Sequence, residues 1–208
     1  MKYYLYISDA KVDMLLPQIP HELKKKVATE FGFDLKILTA KRKVETEYGD
    51  DRIARLETVV EFIRRYGNLG SVDEPNEYIE GTLPMRFSIA SENVAYFSGR
   101  TEKTLLGLGG SSKHLIGGGT ETDGERYSGS VTFFIMNAMK EFFANEERPD
   151  DRVPNVLEMV AMAAQYESDP PDEHIEFLAK RLVTGMVPIG EEKWQTVLAT
   201  PLYLAKAD

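Results

Sequence analysis

The chain has 208 residues, a formal net charge of −9 and no cysteine. The missing thiols exclude disulfides, thiolate metal sites and cysteine nucleophiles, and the acidic balance argues against broad, sequence-independent nucleic-acid binding. No window approaches the roughly 18 apolar residues of a membrane span, and Asp9, Lys11 and Asp13 interrupt any signal-peptide core. These observations predict a cytoplasmic protein.

The N-terminal segment predicts a strand followed by a short helix. Residues 2–8 are mainly aromatic and β-branched, which is typical of a strand. Asp9 is placed to cap a helix that carries Val12 and stops near Pro17. Asp9 is equally placed to reach a ligand beyond the end of the strand, together with Ser8. We expect the capping role, with the ligand contact as its alternative.

Three more elements are predicted before residue 70. A second helix starts after Pro20 and carries the basic triplet at residues 24–26. Alternating residues predict a strand over 35–45. Apolar side chains then recur at helical spacing, between Asp50 and Gly67, and predict an amphipathic helix that faces the core.

The middle of the chain predicts successive strands without intervening helices, which implies antiparallel pairing. The strands are YIEGTLPMRFSIA, NVAYFSG and KTLLGLGG, with a further one around HLIGG. Asn93 and Gly99 punctuate them at hairpin-like distances. Pro84 marks an edge, a bulge or the entry into the first of these strands.

Helices return in the last third of the sequence, before a final strand. Three are predicted: one over residues 131–142, one over 156–163, and one that opens at Asp169 and carries Ile175, Leu178, Ala179 and Leu182. The tail WQTVLATPLYLA predicts a strand that returns to the existing sheet. The whole pattern predicts one α+β domain over residues 1–208, with a mostly antiparallel central sheet covered by amphipathic helices.

Four segments of the chain resemble an uncharacterised family of bacterial proteins. They are YLYISDAKVDMLLPQIP, GTLPMRF, YFSGRTEKTLLGLGGSSKHLIGG and VLATPLYLAKAD. The family opens with a Tyr-Ile-Ser-x-x-Lys-Val-Asp-Met-Leu segment and carries a central Leu-Gly-Gly-Ser-x-x-His-Leu segment. The resemblance spans nearly the whole chain, and it implies a bacterial origin and a single module. It implies no activity, ligand or catalytic residue.

Glycine is concentrated in one segment, with nine of the sixteen glycines between Gly99 and Gly129. The run GLGGSSKH places hydroxyls and a lysine after a flexible turn, where backbone N–H groups can hold an anion. It is neither a P-loop nor a dinucleotide fingerprint, because the spacing rules of both motifs fail. The alternative is structural, since glycines also serve hairpin turns, bulges and close strand contacts.

His114 is the best placed of the three histidines for acid–base chemistry. Its neighbour Lys113 would lower the pKa of His114 if the two side chains are close in space. Arg86 and Arg100 are possible counter-charges for a ligand, and Arg86 has a structural salt bridge as its alternative role. With no cysteine and no paired histidines, the sequence predicts no metal site and no cofactor.

Three functions remain open from the sequence. The preferred one is a cytoplasmic small-molecule-binding or sensing module whose glycine-rich loop contacts an anionic ligand such as a nucleotide. The second is a hydrolase or transferase that acts on a phosphorylated substrate, with His114 as acid or base. The third is a non-catalytic scaffold or interaction protein. The predicted ligand-binding residues are Gly109, Gly110, Ser111, Ser112, Lys113, Arg86 and Arg100, with His114 as the catalytic candidate. The oligomeric state is left open.

Overall fold

The computed structural model describes residues 2–32, 50–91, 94–117, 155–165 and 173–207. Its α-helices are α1 (Asp9–Leu15), α2 (His21–Phe31), α3 (Asp50–Tyr66) and α4 (Val156–Gln165), with short 3-10 helices at Leu16–Gln18 and Ser112–His114. Its strands are β1 (Tyr3–Ile7), β2 (Leu69–Gly70), β3 (Tyr78–Ser91), β4 (Val94–Arg100), β5 (Thr104–Ser111), β6 (His174–Ile189) and β7 (Glu192–Lys206). Among the described helices, none is both long and apolar enough to cross a membrane.

Seven strands form one sheet, and five of them form a closed ring. β7 pairs with β5, β5 with β4, and β4 with β3, while β6 pairs with both β3 and β7. β1 adds to β7, and β2 adds to β3. The β5–β7 and β2–β3 pairings are parallel and the others are antiparallel. The α+β class is therefore confirmed, but the sheet is mixed where we predicted a mostly antiparallel one.

The ring encloses an apolar core to which every one of its strands contributes. The central side chains are fully or almost fully buried: Ile79, Phe97, Leu106, Phe177 and Val197. They alternate with outward-facing residues along each strand, as the two-residue period of a strand requires. Tyr6 of β1 also packs into this cluster, so the added strand seals part of the ring.

Helices cover the outer surface of the ring on two sides. The first group is α1 and α3, which pack through Val12, Leu56 and Val59 against outward residues of the sheet. On the other side, α4 packs through Met159 and Val160 against Tyr96 and Leu198. The helices predicted after Asp9, after Pro20, between Asp50 and Gly67 and over residues 156–163 are thus confirmed, as is the C-terminal strand.

The helix predicted to open at Asp169 is wrong over the described residues, because Ile175, Leu178, Ala179 and Leu182 lie in β6. This strand has buried residues on both faces: Phe177 points into the ring and Leu178 packs with the α1–α3 group. A strand buried on both sides has no polar alternation, so its apolar residues fit a helical spacing by coincidence.

Two details of the predicted hairpins are also wrong. As far as residue 117, where the described part of this segment ends, the residues around HLIGG do not continue the sheet as a strand: Ser112–His114 is a 3-10 helix, and Leu115 makes one isolated bridge to Tyr6. Gly99 lies inside β4 rather than at a turn. The strand predicted over 35–45 and the helix predicted over 131–142 lie outside the described residues.

Candidate functional site

Distant parts of the chain meet at the end of β1. An isolated β-bridge joins Tyr6 to Leu115, and Ile116 N donates a hydrogen bond to Leu5 O at 2.9 Å. These contacts hold the segment after β5 against β1. The chain leaves β1 at Ser8 and turns directly into α1. His114 consequently lies beside the first turn of α1, more than 100 residues away from it in the sequence.

Asp9 is held by Arg52 of α3 rather than serving as a helix cap. The Arg52 guanidinium donates from Nε to Asp9 Oδ1 and from Nη2 to Asp9 Oδ2, both at 2.9 Å. The N-cap residue of α1 is Ser8, and its side chain makes no capping hydrogen bond. The predicted capping role of Asp9 is therefore wrong, because the two-pronged, charge-assisted bond to arginine takes both carboxylate oxygens.

His114 is a buried, neutral imidazole in this surrounding. Only 7% of the residue is exposed, and Nδ1 lies 3.9 Å from Asp9 Oδ2, which is beyond hydrogen-bond distance. Burial lowers the pKa of His114 to about 4; Lys11, Lys113 and Arg52 lower it further, while Asp9 opposes them. The ring of Tyr6 packs edge-on against it at 5.7 Å. At neutral pH His114 is thus an uncharged donor and acceptor among charged groups.

We expect His114 to make the fold sensitive to mild acid. The pKa of His114 in the folded protein, about 4, lies below its ordinary value of 6.5, so the unfolded chain takes up the proton first as the pH falls. The contribution of His114 to the free energy of unfolding is therefore fully present above pH 6.5 and is lost as the pH drops towards 4. The loss attributable to His114 is on the order of 3 kcal/mol. Urea unfolding at pH 7 and pH 4.5, with His114→Phe as reference, measures it.

The His114→Phe variant separates this effect from carboxylates that titrate in the same range, since it should lose less stability over this interval than the unmodified chain. An NMR titration of His114 provides the direct check. A midpoint near 6.5 would contradict the buried, neutral imidazole.

Several polar groups at this place have few partners within the described part of the chain. The Lys11 ammonium makes one hydrogen bond there, to Ser8 Oγ at 3.2 Å, and no carboxylate among those residues holds it. The Tyr6 hydroxyl is completely buried and makes no well-aligned hydrogen bond with the described residues. Burial raises its pKa, while the neighbouring Ser8 side chain and Ser111 backbone oppose that rise. Neither ring nitrogen of His114 is hydrogen-bonded to a described residue. Of these groups, the partly exposed Lys11 ammonium has donors left for a ligand.

The central glycines lie within a strand and not in a loop. Gly109 and Gly110 belong to β5 and pair with Tyr96 and Ala95 of β4. A Cβ on Gly110 would overlap the hydroxyl of Tyr6 and lie 2.9 Å from its Cζ. A Cβ on Gly107 would meet Tyr96 in the same way. These two glycines make room for buried tyrosine rings.

The remaining predicted residues divide between the two ends of the β4–β5 hairpin. Ser111 ends β5, while Ser112 and the exposed Lys113 begin the 3-10 helix that carries His114. Arg100 pairs with Leu105 at the other end of the hairpin, about 20 Å away from Ser111 along the strand. Arg86 lies in β3, two strands from β5. The serines and Lys113 thus neighbour His114, and the two arginines do not.

Sequence reasoning missed Lys11 and Arg52 as members of this cluster. In the sequence, Lys11 is notable only because it interrupts an apolar run, and Arg52 lies on the polar face of the amphipathic helix predicted after Asp50. The spacing Ser8–x–x–Lys11 was the one available signal, since residues three apart on a helix face each other.

A second polar cluster, on the outer face of the sheet, is internally paired. Tyr203 donates to Glu176 Oε1 at 2.6 Å, and Lys2 Nζ lies 2.7 Å from the same oxygen. Arg64 of α3 pairs with Glu80 at 2.9 Å and lies 3.6 Å from Glu176. These contacts fasten α3 to the sheet and leave its charges compensated, so this cluster is structural.

No group of three or more histidine, aspartate or glutamate side chains among the described residues is arranged to hold a metal ion.

A family model described as a family of unknown function (DUF7019) matches residues 2–208. This match confirms the part of the sequence resemblance that indicated an uncharacterised family along nearly the whole chain. No curated protein and no solved structure matches the chain.

Proposed function

The chain belongs to the DUF7019 family, and we propose that it is a small-molecule-binding or sensing module of the cytoplasm. Its ligand is an anion, such as the phosphate of a nucleotide. The binding site is the polar cluster at the end of β1, here called the His114 cluster and defined as Ser8, Asp9, Lys11, Arg52, Lys113 and His114.

The charge of this cluster supports an anionic ligand. Three cations, Lys11, Lys113 and Arg52, act on His114 against a single carboxylate, that of Asp9. This local excess of positive charge stands out in a chain of net charge −9. Opposite charges attract more strongly at a partly buried site than in open water, because the effective dielectric constant is lower. This excess is the observation that carries the proposal.

The unused hydrogen-bonding groups support the same location. An anion beside Lys11 would receive hydrogen bonds from an ammonium that, among the described residues, now donates only to Ser8. Ser111, which ends β5, adds a hydroxyl group nearby. The anion would thus be bound by side chains after the strand, with the glycines serving the packing of β5.

Binding is favoured over catalysis by His114 on the basis of its protonation. A general acid must carry its proton near the working pH, and a general base is most effective when its pKa lies there. A pKa of about 4 leaves His114 unprotonated at pH 7 and weakly basic. A hydrolase or transferase that uses His114 as acid or base therefore remains the second candidate.

We expect phosphate-bearing ligands to raise the melting temperature of the chain. An anion at one hundred times its Kd stabilises the folded state by about 2.7 kcal/mol, which corresponds to roughly 5–10 °C for a chain of this size. Thermal-shift assays with inorganic phosphate, mononucleotides and cyclic dinucleotides measure this. Lys11→Met and Lys113→Met should each reduce the shift.

Lys103→Met is the matched control, because Lys103 is exposed in the turn at the opposite end of the β4–β5 hairpin. This variant should keep the full shift. The proposal fails if no anion raises the melting temperature at millimolar concentration, or if all three variants reduce the shift equally.

A further inference from the structure

We propose that Lys11 is a reactive amine that binds aldehyde or ketone ligands covalently, as an imine. The inference rests on the proposed function, because it uses the same cluster and narrows the ligand to an anion that also carries a carbonyl group. Such a ligand would place its anionic group beside Arg52 and Lys113 and its carbonyl carbon at the Nζ of Lys11.

Lys11 differs from other lysines of the fold in what surrounds its ammonium group. Lys2, Lys180 and Lys206 each pair with a glutamate, at 2.7, 3.4 and 2.5 Å respectively. A neighbouring carboxylate stabilises the protonated amine and so suppresses its nucleophilicity. Lys11 has only the neutral Ser8 hydroxyl within the described residues, at 3.2 Å.

Burial also favours the neutral, nucleophilic form of the Lys11 amine. It lowers the pKa of Lys11 to about 8, so roughly one tenth of the side chains carry a free amine at pH 7, against about one in several thousand for an ordinary lysine. Desolvated lysines of this kind are the ones that form Schiff bases in proteins. Arg52 and Lys113, the other cations that act on His114, offer no hydrogen-bond acceptor to the ammonium.

We expect the carbonyl carbon of the ligand to react with Lys11 and not with Ser8. Ser8 is 1% exposed, which leaves its hydroxyl no approach for an incoming carbonyl, whereas Lys11 is partly exposed. The hydroxyl of Ser8 instead holds Nζ in position. Its place three residues before Lys11, at the start of α1, brings the two side chains to the same face.

The reaction balances without an added oxidant or reductant. The lone pair of the neutral Nζ attacks the carbonyl carbon, and the C=O π electrons move to oxygen to form a carbinolamine. The oxygen then leaves as water together with two protons, one from Nζ and one from its own hydroxyl, and a C=N bond remains. The step is reversible, which suits a binding module.

Reductive trapping with glyoxylate tests the inference. Cyanoborohydride delivers hydride to the imine carbon and fixes it as a secondary amine, which peptide mass spectrometry locates. We expect Lys11 to be labelled at least roughly 10-fold faster than Lys103 at pH 7, since its larger fraction of free amine outweighs its lower basicity. Acetaldehyde, which has no charge, should label Lys11 more slowly than glyoxylate does.

The labelling rate and the thermal shift with inorganic phosphate are both measured on the unmodified chain, so either proposal can fail without the other. Lys11→Arg keeps the positive charge but has no amine that can form an imine, so it should lose the fast label. Labelling of Lys11 no faster than Lys103 overturns the reactive amine, and equal rates with acetaldehyde and glyoxylate overturn its preference for an anionic carbonyl. Fast labelling without any rise in melting temperature on adding inorganic phosphate would contradict the proposed anion site and still support the reactive amine.

Discussion

Gly107→Ala is expected to lower the free energy of unfolding by about 3 kcal/mol, the upper part of the usual range for overpacking a core. The added Cβ would overlap the hydroxyl of Tyr96 and lie 2.9 Å from its Cζ. Tyr96 is 3% exposed and packs under α4 against Met159 and Val160, so its ring has no room to withdraw. Urea unfolding, followed by circular dichroism, measures the change.

Two further variants test the cause. Tyr96→Phe should be tolerated alone, because the Tyr96 hydroxyl is buried and has no hydrogen-bond partner among the described residues. Combined with Gly107→Ala it should recover part of the loss, a coupling that a double-mutant cycle detects. Gly117→Ala, where a Cβ meets nothing within 4 Å but φ is +81°, should cost only about 1 kcal/mol. A Gly107→Ala loss no larger than that would contradict the packing role.

Phe177→Ala is expected to destabilise the protein by about 3–5 kcal/mol. Phe177 is completely buried inside the ring, on the strand that joins β3 to β7, and a Cβ added to its partner Gly81 would lie only 3.3 Å from the Phe177 Cζ. Removing the ring leaves a cavity that paired strands on both sides cannot collapse to fill. The midpoint and slope of urea unfolding give the free energy.

Phe87→Ala is the matched control for this second prediction. Phe87 is 50% exposed, although its ring lies 4.9 Å from that of Phe97. We expect a loss of about 1 kcal/mol, since little apolar area is withdrawn from water. If the two substitutions destabilised the protein equally, the closed ring with Phe177 at its centre would be wrong.

The glycine-dense segment carries a different meaning after the structure is known. From the sequence we predicted that this segment is a ligand-binding loop, with a purely structural role as the alternative. In the structure, Gly107 makes room for the ring of Tyr96, and Gly110 makes room for the ring of Tyr6. The composition could indicate close contacts, but not which aromatic side chain would lie against which glycine. The ligand hypothesis therefore moves from the glycines to the charged residues that follow them.

Elements with a one-sided apolar pattern were predictable from the sequence. α3 carries Leu56, Val59 and Ile63 on its buried face, and this period is visible without any tertiary context. β6 was mistaken for a helix because Phe177 and Leu178 are both buried, on opposite faces. The neighbours of a strand decide whether it is covered on one side or two, and those neighbours are distant in sequence.

The sequence by itself determined the α+β class, most local elements, the resemblance to an uncharacterised family and the choice of His114 as a candidate. Only the tertiary structure decided the closed ring and the His114 cluster. Asp9 and Arg52 are 43 positions apart, and His114 lies further along still. Local periodicity and capping depend on neighbours within a few residues, whereas ion pairs and the desolvation of a side chain depend on what the fold brings into contact. The charge, protonation and reactivity of this cluster are therefore properties of the packed chain.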